Sequence, residues 1–293
     1  MNSTSILNRV KQMYHFPVLL SLAILAGCSS SPSSLSTQSD GVSPNHPPPA
    51  DMAAIPNAEP KDEPKSKYGN PNSYEVFGKR YYTLSDSQGY SARGIASWYG
   101  SKFHGKRTSS GEPYDMYAMT AAHKNLPLPS YVRVTNLKNS RSVVVKVNDR
   151  GPFHDNRLID LSYTAAWKLG IIGEGTGLVE VTAIEADSVP QPTAATTEQA
   201  PTQIVSLATR PDKQRLPELF LQVGAFGDSQ NAQRLKQRLE EALKTSVLIE
   251  GGNSVANSVY RVQVGPIASV ELADHLSQRL TQLGIENPHV VIR

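Results

Sequence analysis

The chain has 293 residues, of which 19% are charged, and a formal net charge of +3 at pH 7. That length is enough for about two domains of ordinary size. A charge so close to zero argues against a broad electrostatic partner such as duplex nucleic acid, and a single cysteine excludes disulfide bonds within the chain.

Residues 1–27 have the layout of an export signal. Arg9 and Lys11 precede an apolar run that is too short to cross a bilayer as a permanent helix. Cys28 follows the tripeptide LAG, and this stretch resembles a bacterial lipobox. The resemblance implies cleavage before Cys28 and acylation of its sulfur and freed amine, with each buried methylene worth about 0.8 kcal/mol. Ser29 then implies sorting to the outer membrane. The alternative is an ordinary signal with an incidental cysteine.

Two polar stretches are predicted to be disordered. Residues 28–89 include SPSSLSTQSD and NHPPPA and contain few large aliphatic side chains, so they cannot bury enough apolar surface to fold and are expected to form a tether. Residues 188–215 include PQPTAATTEQAPTQ and are expected to link two folded parts, 90–187 and 216–293. Loss of the signal would leave a net charge of +1, which again disfavours nucleic acid.

Residues 90–187 are predicted to be mainly β. The predicted strands are RGIASWYG, MYAMTAAH, SYVRVTNL, SVVVKVND and GLVEVTAIEA, with a short helix near SYTAAWKLG. Strands this short, joined by Gly- and Pro-rich turns, are typical of a closed or nearly closed barrel that hides its edges.

The end of the strand SVVVKVND carries an acid. Alternation puts Asp149 on the same side as Val147, and Gly151-Pro152 should stop the strand and leave the carboxyl group accessible. A carboxyl group beside aliphatic side chains has the setting of a general acid. Its neighbours Asn148 and Arg150 are candidates for substrate binding, with Arg150 projecting to the opposite side. The alternative is an acid that merely caps the turn.

Further polar and aromatic residues lie in the loops and strand ends of this domain. Glu112 lies in the loop RTSSGEPYD and His123 follows a strand, and loops held by a rigid barrel often carry functional groups. By pattern alone, Glu112 could equally be an ordinary loop acid and His123 a structural histidine. Trp98 and Tyr99 could line a groove or belong to the core.

The sequence predicts no metal site and no cofactor. Its histidines and Asp155 lack the close pairings of a zinc site; the histidines concerned are His104, His123 and His154. The glycine-rich stretch GIIGEGTGLVE precedes a strand instead of opening a helix, which does not fit a dinucleotide-binding loop.

The C-terminal part contains an internal repeat. Gln222-Val223-Gly224 recurs as Gln263-Val264-Gly265, and each copy reads as a strand, a helix and a second strand, with Ser229 and Ser269 as expected caps. The predicted order is βαββαβ, an α+β domain with both helices on one face of a four-stranded sheet.

The other face of that sheet should be uncovered. Alternation places an aromatic ring, two amides and a guanidinium there, which suit a polar chain molecule; the residues are Phe220, Gln222, Arg261 and Gln263. A solvated sheet face and a nucleic-acid platform are the alternatives, and export with near-neutral charge weakens the second.

Two stretches of the middle domain resemble the rare lipoprotein A family: IASWYGSKFHGKRTSSGEPYDMYAMTAAHKNLPLPSYVRVTNL and VVVKVNDRGPFHDNRLIDLS. The resemblance implies a double-psi β-barrel, and residues 216–293 resemble the ferredoxin-like SPOR domain of bacterial division proteins. The order of lipobox, barrel and SPOR-like segment matches the architecture of the same family.

The resemblance implies a septal lytic transglycosylase that cleaves between N-acetylmuramic acid and N-acetylglucosamine in glycan strands lacking stem peptides. Asp149 would protonate the glycosidic oxygen and then accept the proton of the muramyl C6 hydroxyl as the 1,6-anhydro ring closes. Glu112 would stabilise the positive sugar centre, and His123 would bind substrate or orient the acid. The SPOR-like segment implies binding to the same peptidoglycan strands, with division-site proteins as further partners.

Two other functions remain open from the sequence. The first is a non-catalytic peptidoglycan binder built on the same barrel. The second is a hydrolase with Asp149 and Glu112 as its two carboxylates.

Overall fold

The computed structural model describes residues 48–185, 216–251 and 259–293. The export signal, Cys28 and the linker 188–215 lie outside these residues. Within the described ranges, no helix combines the length and the hydrophobicity needed to span a bilayer.

Residues 48–89, expected to belong to a disordered tether, instead bind the domain that follows. Residues 51–72, called here the N-terminal strap, have no helix or strand but are hydrogen bonded at several points, including Ala58 N to Val144 O at 3.0 Å and Ser66 N to Leu128 O at 2.8 Å. Backbone hydrogen bonds attach this segment, and a composition poor in aliphatic residues does not reveal them.

A hairpin follows the strap. Its strands are β1 Ser73–Val76 and β2 Lys79–Tyr82. Phe77 and Gly78 form the two-residue turn, and both have positive φ angles, 52° and 75°. Positive φ at both positions is the geometry of the type I′ turn that best matches the twist of hairpin strands.

The next domain is a closed barrel, as predicted, but it has six strands where the sequence predicted five. The strands are β3 Ser91–Tyr99, β4 Thr120–His123, β5 Ser130–Asn136, β6 Ser142–Asp149, β7 Arg157–Ser162 and β8 Gly177–Ile184. Around the barrel they follow the order β3-β7-β4-β6-β5-β8, with β3/β7 and β4/β6 parallel and the other neighbours antiparallel. This confirms the double-psi β-barrel.

Alternating aliphatic side chains fill the barrel. On β6, Val143 is 3% exposed, and Val145 and Val147 are fully buried, as the alternation predicted. The short helix α1, Tyr163–Leu169, begins at the N-cap Ser162 and ends at Gly170, whose φ of 74° is left-handed. An αL glycine is a common way to terminate a helix.

Residues 216–293 form the predicted βαββαβ domain. Its elements are β9 Leu219–Phe226, α2 Ser229–Leu243, β10 Val247–Gly251, β11 Tyr260–Ile267, α3 Val270–Gln282 and β12 His289–Ile292. The antiparallel sheet has the order β10-β11-β9-β12. Ser269 caps α3 as expected, but Asp228 and not Ser229 caps α2, because the Asp228 carboxylate accepts the hydrogen bond from Gln230 N at 2.6 Å.

A buried ion pair connects the barrel to the C-terminal domain. Arg157 on β7 donates from Nη1 and Nη2 to the two carboxylate oxygens of Asp274 on α3, at 3.0 and 2.6 Å. Their side chains are only 6% and 13% exposed. Asn156 Nδ2 donates to Ser277 Oγ at 2.8 Å, and Ile95 of β3 packs in the apolar cluster of the C-terminal domain. The two domains therefore touch directly.

Candidate active site

Asp149 ends β6 beside the loop 107–113. Its Oδ1 accepts hydrogen bonds from Ser109 N at 2.8 Å, Ser109 Oγ at 2.6 Å and Arg150 N at 2.7 Å. The residue is partly buried and pairs with Ala122 of β4 just past an irregularity in the strand register. Because Oδ1 is occupied by three donors, a proton carried by this carboxyl group would sit on Oδ2.

The loop 107–113 is folded on itself and attached to β6. Thr108 N donates to Glu112 O at 2.8 Å, which closes the loop, and Ser110 N donates to Asn148 O at 3.1 Å. Together with the bonds from Ser109 to Asp149, these contacts fix Glu112 relative to the end of β6.

Glu112 is held by two side chains of β6. Its Oε2 accepts from Asn148 Nδ2 at 2.7 Å, and its Oε1 lies 3.0 Å from Lys146 Nζ. Burial raises the pKa of Glu112, but the hydrogen bonds from Asn148 and Lys146 outweigh it, so the pKa lies below its ordinary value. Glu112 is therefore a carboxylate at neutral pH. Asn148, which is 3% exposed, positions this acid.

His123 is buried and both of its ring nitrogens are used. Nδ1 accepts hydrogen bonds from Asn125 N at 3.1 Å and Leu126 N at 3.0 Å, so the neutral ring carries its hydrogen on Nε2, which lies 2.9 Å from Tyr90 Oη. Burial, with help from the charges of Lys124 and Arg150, lowers the pKa of His123 to about 3. The expected contact with substrate is not supported, since the ring is 1% exposed and fixes the turn after β4.

Arg150 points away from Asp149, as predicted, but its guanidinium is hydrogen bonded to other parts of the chain. Nε donates to Gly69 O at 2.8 Å, Nη1 to Leu126 O, and Nη2 to Asn70 Oδ1 at 3.2 Å. These bonds join the strap to the segment after β4. The expectation that Arg150 binds substrate is not supported, because its donors already have partners.

Trp98 and Tyr99 belong to the core, which is one of the two alternatives left open by the sequence. They are 7% and 9% exposed. Tyr99 stacks on Tyr114 with ring centroids 4.1 Å apart, and Trp98 meets the edge of Tyr163 at 5.5 Å.

A second acid near Asp149 was missed by the sequence reasoning. Asp160 on β7 pairs with Ala122 from the side opposite to β6, so Asp149 and Asp160 flank Ala122 with Cα atoms about 10 Å apart, two strand spacings. Ser97 Oγ donates to its Oδ1. Burial raises the pKa of Asp160 despite this hydrogen bond. Its alternation with Ile159 and Leu161 would have revealed it, had β7 been predicted as a strand.

The uncovered face of the C-terminal sheet differs in part from the prediction. Phe220 and Gln263 are each 1% exposed, because Arg293 lies over the Phe220 ring at 4.7 Å and donates to Gln263 Oε1. Arg293 also donates to Glu250 Oε2 at 2.9 Å. The Phe220 ring is therefore not free to stack on a sugar, whereas Gln222 and Arg261 remain accessible.

No group of three or more His, Cys, Asp or Glu residues is placed to hold a metal ion in the ranges 48–185, 216–251 and 259–293.

Comparison with known proteins gives a consistent result. Residues 91–182 match the family model described as a lytic transglycolase, and residues 218–292 match the SPOR domain model. The endolytic peptidoglycan transglycosylase RlpA of Vibrio cholerae serotype O1 is 39% identical over 273 residues, which cover 93% of this chain and 94% of that protein. The protein of the same name from Pseudomonas aeruginosa strain PAO1 is 41% identical over 277 residues, covering 81% and 80%.

Among solved structures, the RlpA SPOR domain of Pseudomonas aeruginosa shares 29% identity with a TM-score of 0.24 and covers 25% of this chain and 96% of that one. Identity of 39% over nearly the whole of both chains is enough to assign a family. The chain belongs to the RlpA family, which confirms the resemblance read from its sequence.

Proposed function

We propose that this protein is a lytic transglycosylase. It cleaves between N-acetylmuramic acid and N-acetylglucosamine in peptidoglycan strands lacking stem peptides and leaves 1,6-anhydromuramyl ends. The observation that carries the proposal is the hydrogen bonding of the Asp149 carboxyl group. Three donors fix Oδ1, whereas Oδ2 has no hydrogen bond with the described residues. The names of the relatives, endolytic peptidoglycan transglycosylases, support the same reaction class.

The reaction uses Asp149 as acid and then as base. Oδ2 gives its proton to the glycosidic oxygen, the bond from that oxygen to muramyl C1 breaks, and N-acetylglucosamine leaves with the new hydroxyl group. The muramyl C6 hydroxyl attacks C1, and its proton returns to Oδ2 as the anhydro ring closes. Glu112 is ionised and fixed by Asn148 and Lys146, so its negative charge stabilises the positive charge that develops at C1.

The remaining segments bring the barrel to the wall. Acylation of Cys28 anchors the protein to the outer membrane on its periplasmic side, and the SPOR domain binds peptidoglycan at the division septum, with Gln222 and Arg261 as the accessible polar side chains of its sheet. Division-site proteins are further candidate partners. The match of residues 218–292 to the SPOR model supports the peptidoglycan contact.

Mass spectrometry of purified denuded glycan strands tests the reaction. We expect residues 28–293 to generate 1,6-anhydromuramyl ends and Asp149→Asn to reduce their formation by about 10³-fold, the usual range for a lost acid–base group. Asp155→Asn, which removes an exposed acid a few residues away, is the matched control and should cut like the parent.

Each alternative has its own product. Reducing ends in place of anhydro ends would identify a hydrolase. No new ends from folded protein that still binds strands would identify a binder. Undiminished cutting by Asp149→Asn would remove Asp149 from the mechanism.

A further inference from the structure

Lys146 lies between two carboxylates from different parts of the chain. Its Nζ is 3.0 Å from Glu112 Oε1 and 3.2 Å from Glu63 Oε2, and its side chain is 20% exposed. Burial lowers the pKa of Lys146, but the hydrogen bonds and charges of Glu112 and Glu63 outweigh it and raise the pKa. Lys146 is thus a charged bridge from the candidate active site to the N-terminal strap.

Glu63 is held on its far side by the barrel. Tyr131 Oη on β5 donates a hydrogen bond to its Oε1, and this bond is the largest of the effects that lower the pKa of Glu63. The Glu63 side chain is 33% exposed, and the strap beyond it is fixed by Ser66 N, which donates to Leu128 O at 2.8 Å. Glu63 therefore has a defined position from which it can hold Lys146.

We propose that Glu63 is a positioning residue of the active site, which holds the Glu112 carboxylate in place through Lys146. Its effect on catalysis rests on the proposed function. The proposal extends the site beyond residues 91–182, the part of the barrel that matches the family model. It also gives the strap a task that its composition does not suggest.

The charges around Glu112 fix the sign of the expected effect. The groups that face it are Lys146 on β6 and Glu63 of the strap, and Tyr131 on β5 contacts Glu63. The negative charge of Glu63 raises the pKa of Glu112. Replacing Glu63 by glutamine removes that charge and leaves Lys146 with Glu112 as its one carboxylate partner among these groups, so the pKa of Glu112 should fall further. The Lys146 ammonium stays within reach of Glu112, but without its second anchor it no longer fixes that carboxylate in one position.

The test compares Glu63→Gln with Asp62→Asn in the mature chain, residues 28–293. Asp62 is exposed and adjacent, so its substitution removes the same charge without touching Lys146. In a pH titration followed by the carbon-13 signal of the Glu112 carboxyl group, we expect a lower midpoint in Glu63→Gln and no change in Asp62→Asn. On denuded strands, kcat should fall by about tenfold in Glu63→Gln with KM little changed, because a misplaced group affects the transition state more than binding.

Tyr131→Phe provides a second variant if Glu63→Gln folds poorly. It removes the hydroxyl group that fixes Glu63 but leaves its charge, so it should lower kcat without lowering the midpoint of Glu112. The proposal is overturned if Glu112 titrates identically in the parent and Glu63→Gln, or if Asp62→Asn has the same effect as Glu63→Gln. The titration needs no glycan cleavage. If the parent formed no anhydro ends, the proposed function would be rejected, and the titration would still test whether Glu63 acts on Glu112 through Lys146.

Discussion

His123 takes up a proton near pH 6.5 in the unfolded chain, whereas burial lowers its pKa to about 3 in the folded barrel. Between these values the unfolded state binds more protons, so the free energy of unfolding falls as the pH is lowered through this window. The loss approaches about 1.4 kcal/mol for each pH unit. The full contribution is present above pH 6.5.

We expect His123→Gln to flatten this part of the stability curve, measured by urea unfolding between about pH 4 and pH 7. His275→Gln, which replaces an exposed histidine, should leave the slope unchanged. An equal slope in the parent and His123→Gln would show that the acid sensitivity arises elsewhere.

Single residues were the hardest feature to predict from the sequence. The family resemblance predicted that Glu112 and Asp149 belong to one site. In the structure Glu112 lies in the loop 107–113, and this loop is hydrogen bonded to Asp149 at the end of β6. His123 and Arg150 are equally polar, yet their hydrogen bonds to backbone groups give them structural tasks. A one-dimensional pattern shows that a polar residue is present, but not whether its donors and acceptors already have partners.

At the scale of elements, the strap depends on one close approach to the loop 107–113. Gly69 has a φ of 82°, and a Cβ atom there would lie 2.8 Å from both Leu128 Cδ1 and Ser109 O. Gly78 has a similar φ of 75°, but a Cβ atom would meet nothing within 4 Å. A comparison of substitutions at the two glycines therefore distinguishes the effect of backbone strain from the effect of steric overlap.

We expect Gly69→Ala to loosen the strap and Gly78→Ala to leave it in place. Both variants pay the backbone penalty of about 1–2 kcal/mol for a side chain at positive φ, but only Gly69→Ala adds the overlap with Leu128 and Ser109. Hydrogen exchange of residues 51–72 should rise in Gly69→Ala alone. Equal protection in the two variants would mean that the strap does not need this contact.

The regular elements were largely predictable, and the failures have physical causes. The period-two pattern of valines identified β6, and the internal repeat gave the order of the C-terminal domain. β7 was missed because it follows directly after a turn. Its parallel pairing with β3, which is distant in the chain, cannot be recognised from a local sequence pattern. The strap was missed because most of its attachment uses hydrogen bonds, such as those between Asn70 and Leu128, and its few apolar contacts, from Met52, Ile55 and Ala58, follow no periodic pattern.

The Arg157–Asp274 pair should make the two domains unfold together. Asp274→Ala leaves a buried guanidinium without its partner, a change that typically costs about 3–5 kcal/mol. We expect calorimetry to show a lower melting temperature and separate transitions for the barrel and the C-terminal domain.

Glu174→Gln is the matched control for this ion pair. Glu174 pairs with Lys138 at the surface, where both side chains are 63% exposed, so the substitution should leave the melting curve almost unchanged. Identical curves for the parent and Asp274→Ala would show that the contact between the domains contributes nothing to stability.

The strap also limits how far an anchored molecule can reach. If Cys28 is acylated, as proposed above, the contour length of the chain from the lipid to Met52, which is buried, is at most about 80 Å, compared with about 210 Å from the lipid to Tyr90. Such an anchor would keep the barrel within that shorter distance of the bilayer. The segment that steadies Glu112 would thereby decide which layer of the wall a single enzyme can trim.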